Sequence, residues 1–168
     1  TFGVTGVLFA TEHLNMTTSQ LGLMFAGAAT LMAMTAPFAT ALSDKLPDRR
    51  FLILPGMLLN ATSVATQSTC ISAEPYAGLV VITGFANALG MVSALPYLLD
   101  HITPEERVQA LAMRTTAQDV GILTGAGVMG FVGHNFGLPI AMQASAALQV
   151  AAVIFFAFQS EVSRGVSR

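Results

Sequence analysis

Residues 120–160 read VGILTGAGVMGFVGHNFGLPIAMQASAALQVAAVIFFAFQS, with no Asp, Glu, Lys or Arg among them. A soluble domain would have to bury both arms of this stretch as a hairpin. A bilayer removes that requirement, because about 20 consecutive apolar residues cross its hydrocarbon core as one helix. The turn between the arms is supplied by His134-Asn135-Phe136-Gly137. Three further charge-free stretches are each long enough for a crossing: His13–Ser43, Phe51–Ala73 and Pro75–Leu99. Composition agrees with this reading. Charged residues are 10% and hydrophobic residues 54% of the 168, against roughly 25% charged in a soluble domain. Mean hydropathy is +0.68. The fold class is therefore all-α, a polytopic transmembrane helix bundle.

Working outward, the spacing predicts helices over residues 1–10, 21–42, 51–71, 76–99, 104–133 and 138–159. The first is a stub. The chain starts at Thr1, already inside an apolar run, and is expected to be a fragment forming a single transmembrane half-domain over 1–168. A basic stretch before that run is missing, so it does not read as a cleavable signal peptide. Ahead of the fifth helix, Thr103, Pro104 and Glu106 have the spacing of a capping box with Pro at the first helical position.

Charge placement sets the orientation. Alternate loops lie on one side. Asp44–Arg50, Asp100–Arg114 and the C-terminal tail hold all seven Lys and Arg residues, and the opposite loops hold none. The positive-inside rule puts the first set in the cytosol. A net charge of −2 with no large basic patch excludes a nucleic-acid partner. One cysteine, Cys70, excludes an internal disulfide. His13, His101 and His134 fall in separate loops and form no metal site. No nucleophile–base pair and no nucleotide loop occurs, so neither an enzyme nor a cofactor is expected. Asn15-Met16-Thr17 is a glycosylation sequon on the side without basic residues.

The corner Ala39-Thr40-Ala41-Leu42-Ser43-Asp44-Lys45-Leu46-Pro47-Asp48-Arg49-Arg50 resembles the loop motif that follows the second helix in each half of the major facilitator superfamily of transporters. Asp44 matches the motif's Asp, Lys45 its basic neighbour, and Arg49 and Arg50 its basic pair. Thr40 and Pro47 replace its glycines, and Asp48 stands at a basic position. Pro104-Glu105-Glu106-Arg107 with Ala110, Arg114, Asp119 and Gly121 resembles the approach to the fifth helix of a half. Gly121, Gly125, Gly127 and Gly130 resemble its glycine-rich body, with Ala126 in place of an antiporter Pro. The resemblance implies a six-helix half of a carrier that works by alternating access around a central path. No charge lies in Pro75–Leu99, and Val80 stands where an N-terminal half often has Arg, so the C-terminal half is expected. The partners this implies are a small-molecule substrate, the lipid bilayer, the other half and protons.

Candidate residues divide by role. Asp44, Lys45, Arg49 and Arg50 are expected to anchor the turn, to act as a conformational latch, or to do both. Asp119 lies about 7.5 Å deeper than Arg114 along a helix. It is a candidate for proton coupling or for contact with a cationic substrate, and equally for pairing with Arg114 or Thr115. Thr83, Asn87, Met91 and Thr124 are candidates for the substrate path, with helix–helix hydrogen bonding as the plainer role of Asn87. Gly121, Gly125, Gly127 and Gly130 are expected to allow close helix packing. No Arg or Lys sits deep in a helix, which argues against organic anions and sugar phosphates. An apolar path with a few amides suits drug-like, amphipathic compounds exported by proton coupling across the plasma membrane, with an organelle membrane as the alternative location. The alternatives are a sugar or other metabolite facilitator, or a membrane assembly protein of the same fold that transports nothing.

Overall fold

The computed structural model describes residues 2–46, 48–100 and 102–166, with side chains described from Thr5 to Gln159. Thr1, Pro47, His101, Ser167 and Arg168 lie outside the described residues. Six α-helices follow in order: α1 Phe2–Glu12, α2 Thr18–Lys45, α3 Arg50–Gln67, α4 Ala73–Asp100, α5 Arg107–Phe136 and α6 Leu138–Val166. The bundle is all-α, and the count is that expected for one half of a twelve-helix carrier.

The helix boundaries differ from the predicted ones for local reasons. α2 starts at Thr18 because a capping box forms there: Gln20 N–H donates to Thr17 Oγ1 at 3.3 Å, and Thr17 N–H donates to Gln20 Oε1 at 2.8 Å. The capping box expected at Thr103 does not form. Thr103 Oγ1 instead donates to Glu106 Oε2 at 2.9 Å, and Pro104–Glu106 make a 3-10 turn before α5. The turn expected over His134–Gly137 narrows to Gly137 alone. Its φ is +94°, a backbone setting that a side chain would strain, and it is the single residue between the end of α5 at Phe136 and the start of α6 at Leu138.

Three helices are long and apolar enough to cross a membrane: Thr18–Lys45, Ala73–Asp100 and Leu138–Gln159. α3 has 18 residues, and Arg50, Asn60 and Gln67 dilute its apolar character. α5 is diluted by Gln118, Asp119 and its glycines. The chain is an integral, multi-pass membrane protein. Pro37, Pro55 and Pro96 lie inside α2, α3 and α4, positions that membrane helices tolerate.

α4 is the centre of one layer. It packs against α2 and α3, α3 packs against α6, and α6 packs against α5 and α1. Burial follows this order: 39% of the apolar window of α4 lies inside the bundle, against 6% for α2. Two glycines set the closest approaches. A Cβ on Gly84 would stand 2.5 Å from the carbonyl oxygen of Ala28, and one on Gly56 would stand 2.8 Å from the backbone nitrogen of Gly90. Small residues at such points are how helices approach in lipid, where water drives no apolar association. The end of the bundle without basic residues is closed by Phe9, Met16, Met24, Tyr76 and Met142. Tyr76 is fully buried there, and its hydroxyl donates to Gly6 O at 2.7 Å, tying α4 to α1.

Candidate functional site

Two sites emerge, a charged corner at the basic end and an amide-lined cleft above it. The corner is built by the short link between α2 and α3, which brings Ser43, Asp44, Asp48, Arg49 and Arg50 within one turn of each other. Arg49 Nη1 lies 3.0 Å from Asp44 Oδ1, and the same nitrogen donates to Ser43 Oγ at 3.2 Å. Arg49 Nε lies 2.9 Å from Asp100 Oδ2, at the C-terminal end of α4. One guanidinium thus spans α2, α3 and α4, using the forked donor geometry that lysine lacks. The carboxylates are about half exposed and the arginine is 20% exposed, so each pair alone contributes only about 0–1 kcal/mol. The contact fixes an arrangement more than it adds stability.

Arg50 turns the other way. Its Nε donates to Tyr97 Oη at 3.0 Å and lies 3.7 Å from Asp48 Oδ1. Its guanidinium carbon is 5.3 Å from the Tyr97 ring centre, within cation–π range. Tyr97 in turn meets Phe156 of α6 edge-on, with ring centres 5.7 Å apart. Asp44, Arg49 and Arg50 therefore come together with Asp100 and Tyr97, two partners that sequence spacing did not reveal. Lys45 is exposed beside them.

Above the corner, α3, α4, α5 and α6 leave a cleft in three connected parts. The part nearest the corner is about 630 Å³ and almost wholly apolar, lined by Met57, Leu98, Met113 and Phe156 among others, with Arg114 at its edge. Arg114 also lines the middle part, about 230 Å³, with Asn60, Asn87, Met91 and Gln149. The third part, about 380 Å³, shares Asn60, Asn87 and Gln149 and adds Thr83 and Ser145. Behind its wall, the buried Gln67 donates from Nε2 to Thr83 Oγ1 at 2.9 Å, while Gln67 Oε1 has no partner.

The predicted path residues Thr83, Asn87 and Met91 line this cleft, and Thr124 does not. Thr124 is exposed, and its hydroxyl donates to Val120 O at 2.7 Å within α5. Asp119 and Arg114 do not pair. They are five residues apart, about 140° around the helix. Arg114 lines the cleft while Asp119 is exposed and does not line it. Nor does Asp119 meet Thr115, whose hydroxyl donates to Leu111 O.

Among the described residues, a Cβ on Gly121, Gly127 or Gly130 would meet nothing within 4 Å, so close packing at these three positions would be against a surface other than those residues. The glycines in closest backbone contact are Gly56 and Gly84; Asn60 and Gln149 line the cleft without having been expected there, and Arg114, expected only beside Asp119, lines it as well. The polarity of Asn60, Thr62, Ser63, Thr66 and Gln67 is visible in the sequence, but the rotation of α3 that brings Asn60 to the cleft was not legible from its spacing. Among the described residues, no three His, Cys, Asp or Glu side chains gather as a metal set.

The sequence profile of the Major Facilitator Superfamily matches residues 1–167. The chain belongs to the major facilitator superfamily. Members of this superfamily are secondary transporters, not enzymes, and the six-helix bundle is the architecture of one half of such a carrier. No curated protein and no solved structure is similar to the chain. Seen as part of a facilitator, the corner joins the loop between the second and third helices of the half to the end of its fourth helix, directly below the cleft.

Proposed function

We propose that this chain forms the C-terminal six-helix half of a plasma-membrane carrier that exports amphipathic, drug-like solutes by alternating access, with Asp44–Arg49–Asp100 holding one conformation. The observation that carries the reading is Arg49, which bonds to the ends of two other helices beneath an otherwise open cleft. Breaking these contacts frees the ends of α2 and α4 to separate, the kind of two-state rearrangement that gates a path. The concentration of basic residues at this end supports its placement in the cytosol. Exposed apolar side chains such as Leu23 and Phe38 on α2, and Leu123 and Phe131 on α5, are surfaces for lipid or a second half to cover.

The proposed coupling ion is the proton, with Asp119 as the acid of this half. Asp119 is exposed on α5 and does not line the cleft, so it would exchange its proton on a face of that helix away from the cleft. The experiment is uptake by the full-length protein in proteoliposomes, with and without an imposed pH gradient, of ethidium, 4-phenylbutanesulfonate and glucose. Movement of an apolar-bodied solute above protein-free vesicles, accelerated by the gradient, is expected. Glucose movement indifferent to the gradient would favour the facilitator reading. Movement of none would favour an assembly protein.

A further inference from the structure

Arg114 is half-buried where the apolar and the amide-lined parts of the cleft meet. Among the described residues it makes no ion pair and no hydrogen bond. Among the described residues, no Asp or Glu lines any of the three parts. Asn60 is 6% exposed, and its side chain, aimed into the cleft, has no protein partner either. Asn87 and Gln149 share this condition. A half-buried arginine with no counter-charge among the described residues is costly. Water can satisfy the amides but brings no charge to Arg114.

We propose that the cleft binds an amphipathic organic anion. Its carboxylate or sulfonate accepts hydrogen bonds from Arg114 and from the amide N–H groups of Asn60, Asn87 and Gln149. Its apolar body lies against Met57, Met113 and Phe156. This narrows the transport reading above and rests on it for the role of the cleft as a substrate path. It also reverses the expectation drawn from spacing. Arg114 looked like an interface residue because depth can be read from a sequence while rotation about the helix cannot. Cations are disfavoured for the same reason that anions are favoured, since Arg114 repels them and no acid compensates. A planar donor fork matched to two anion oxygens distinguishes the site from a merely greasy pocket.

The same head group chemistry occurs in anionic lipids, so the test separates the two sources. Full-length protein in phosphatidylcholine nanodiscs is titrated calorimetrically with 4-phenylbutanesulfonate, 4-phenylbutanol and 4-phenylbutylamine, against empty nanodiscs. Saturable binding of the sulfonate, tighter than that of the alcohol or the amine, is expected. Arg114→Gln should weaken the sulfonate roughly tenfold or more, as expected for a charge-assisted hydrogen bond, while leaving the alcohol unchanged, which reports that the cleft is still folded. Asn87→Leu should weaken the sulfonate with Arg114 intact, and Arg114→Lys should keep part of the binding. Equal affinity for sulfonate and amine, or an unaffected Arg114→Gln variant, overturns the proposal. Loss of sulfonate binding in nanodiscs containing phosphatidylglycerol overturns it in favour of a lipid site. The readout is equilibrium binding. Binding without flux would defeat the transport reading alone, and flux of other solutes without sulfonate binding would defeat this inference alone.

Discussion

Arg49 Nε and Asp100 Oδ2 lie 2.9 Å apart, joining the start of α3 to the end of α4 across a sequence gap that no local rule bridges. Asp44 holds the other side of the same guanidinium at 3.0 Å. The corner therefore reports whether three helix ends are together, and a change that separates them should alter conformation more than stability.

Replacing Arg49 by Ala is expected to lower unfolding stability by only about 1 kcal/mol, because both partners are half exposed. The same variant should expose Asp44 and Asp100 together. In a double-mutant cycle between Arg49→Ala and Asp100→Asn, thermal unfolding in detergent should show a coupling energy of about 0.2–1 kcal/mol. Strict additivity would mean that the two groups do not interact.

Gly84→Ala places a methyl group 2.5 Å from the Ala28 carbonyl oxygen, a backbone atom that cannot swing away. The expected loss is about 1–3 kcal/mol, the usual result of overpacking. Gly121→Ala meets open space and should leave unfolding unchanged or slightly favourable. A destabilised Gly121→Ala would show that another element packs on that face of α5.

Thr83 and Gln67 form a buried pair between α4 and α3. Thr83→Val removes the only acceptor given to the Gln67 amide nitrogen and should cost about 1–3 kcal/mol, the penalty of a buried unsatisfied donor. Gln67→Leu removes that donor together with Oε1, which already lacks a partner, and should cost less. Chemical unfolding of the two variants decides the order.

Cys70 stands between α3 and α4, where partial burial pushes its thiol above the ordinary cysteine range. The thiol is the neutral form, so little thiolate is present at pH 7, and alkylation should be slow there and quicken as pH rises. In a Cys70→Ser background, Ser72→Cys should react with an impermeant maleimide from outside intact cells and Glu105→Cys should not. The reverse pattern would invert the proposed orientation.

Much of this architecture was legible because charge is excluded from lipid. The charge-free stretches gave six helices in the right order, and grouping the basic residues gave one end where Arg49, Arg50 and Arg114 do lie. Rotation about each helix axis was not legible. Arg114 and Asp119 were paired by depth, yet five residues of helix point them to different sides. Gly84 could not be singled out from Gly121, because the difference lies in Ala28 on another helix. Asp100 was seen as a loop charge, and only the packing of α4 against α3 makes it a partner of Arg49.

The most direct test of the account is access to the cleft from both sides of the membrane. Full-length protein carrying Asn87→Cys and Cys70→Ser is exposed to an impermeant maleimide, on right-side-out and on inside-out vesicles. Alternating access predicts labelling from both sides, with Asp100→Asn raising cytosolic labelling by releasing Arg49 and loosening the corner. Labelling from one side only, unchanged by Asp100→Asn, would contradict both the carrier reading and the role of the corner.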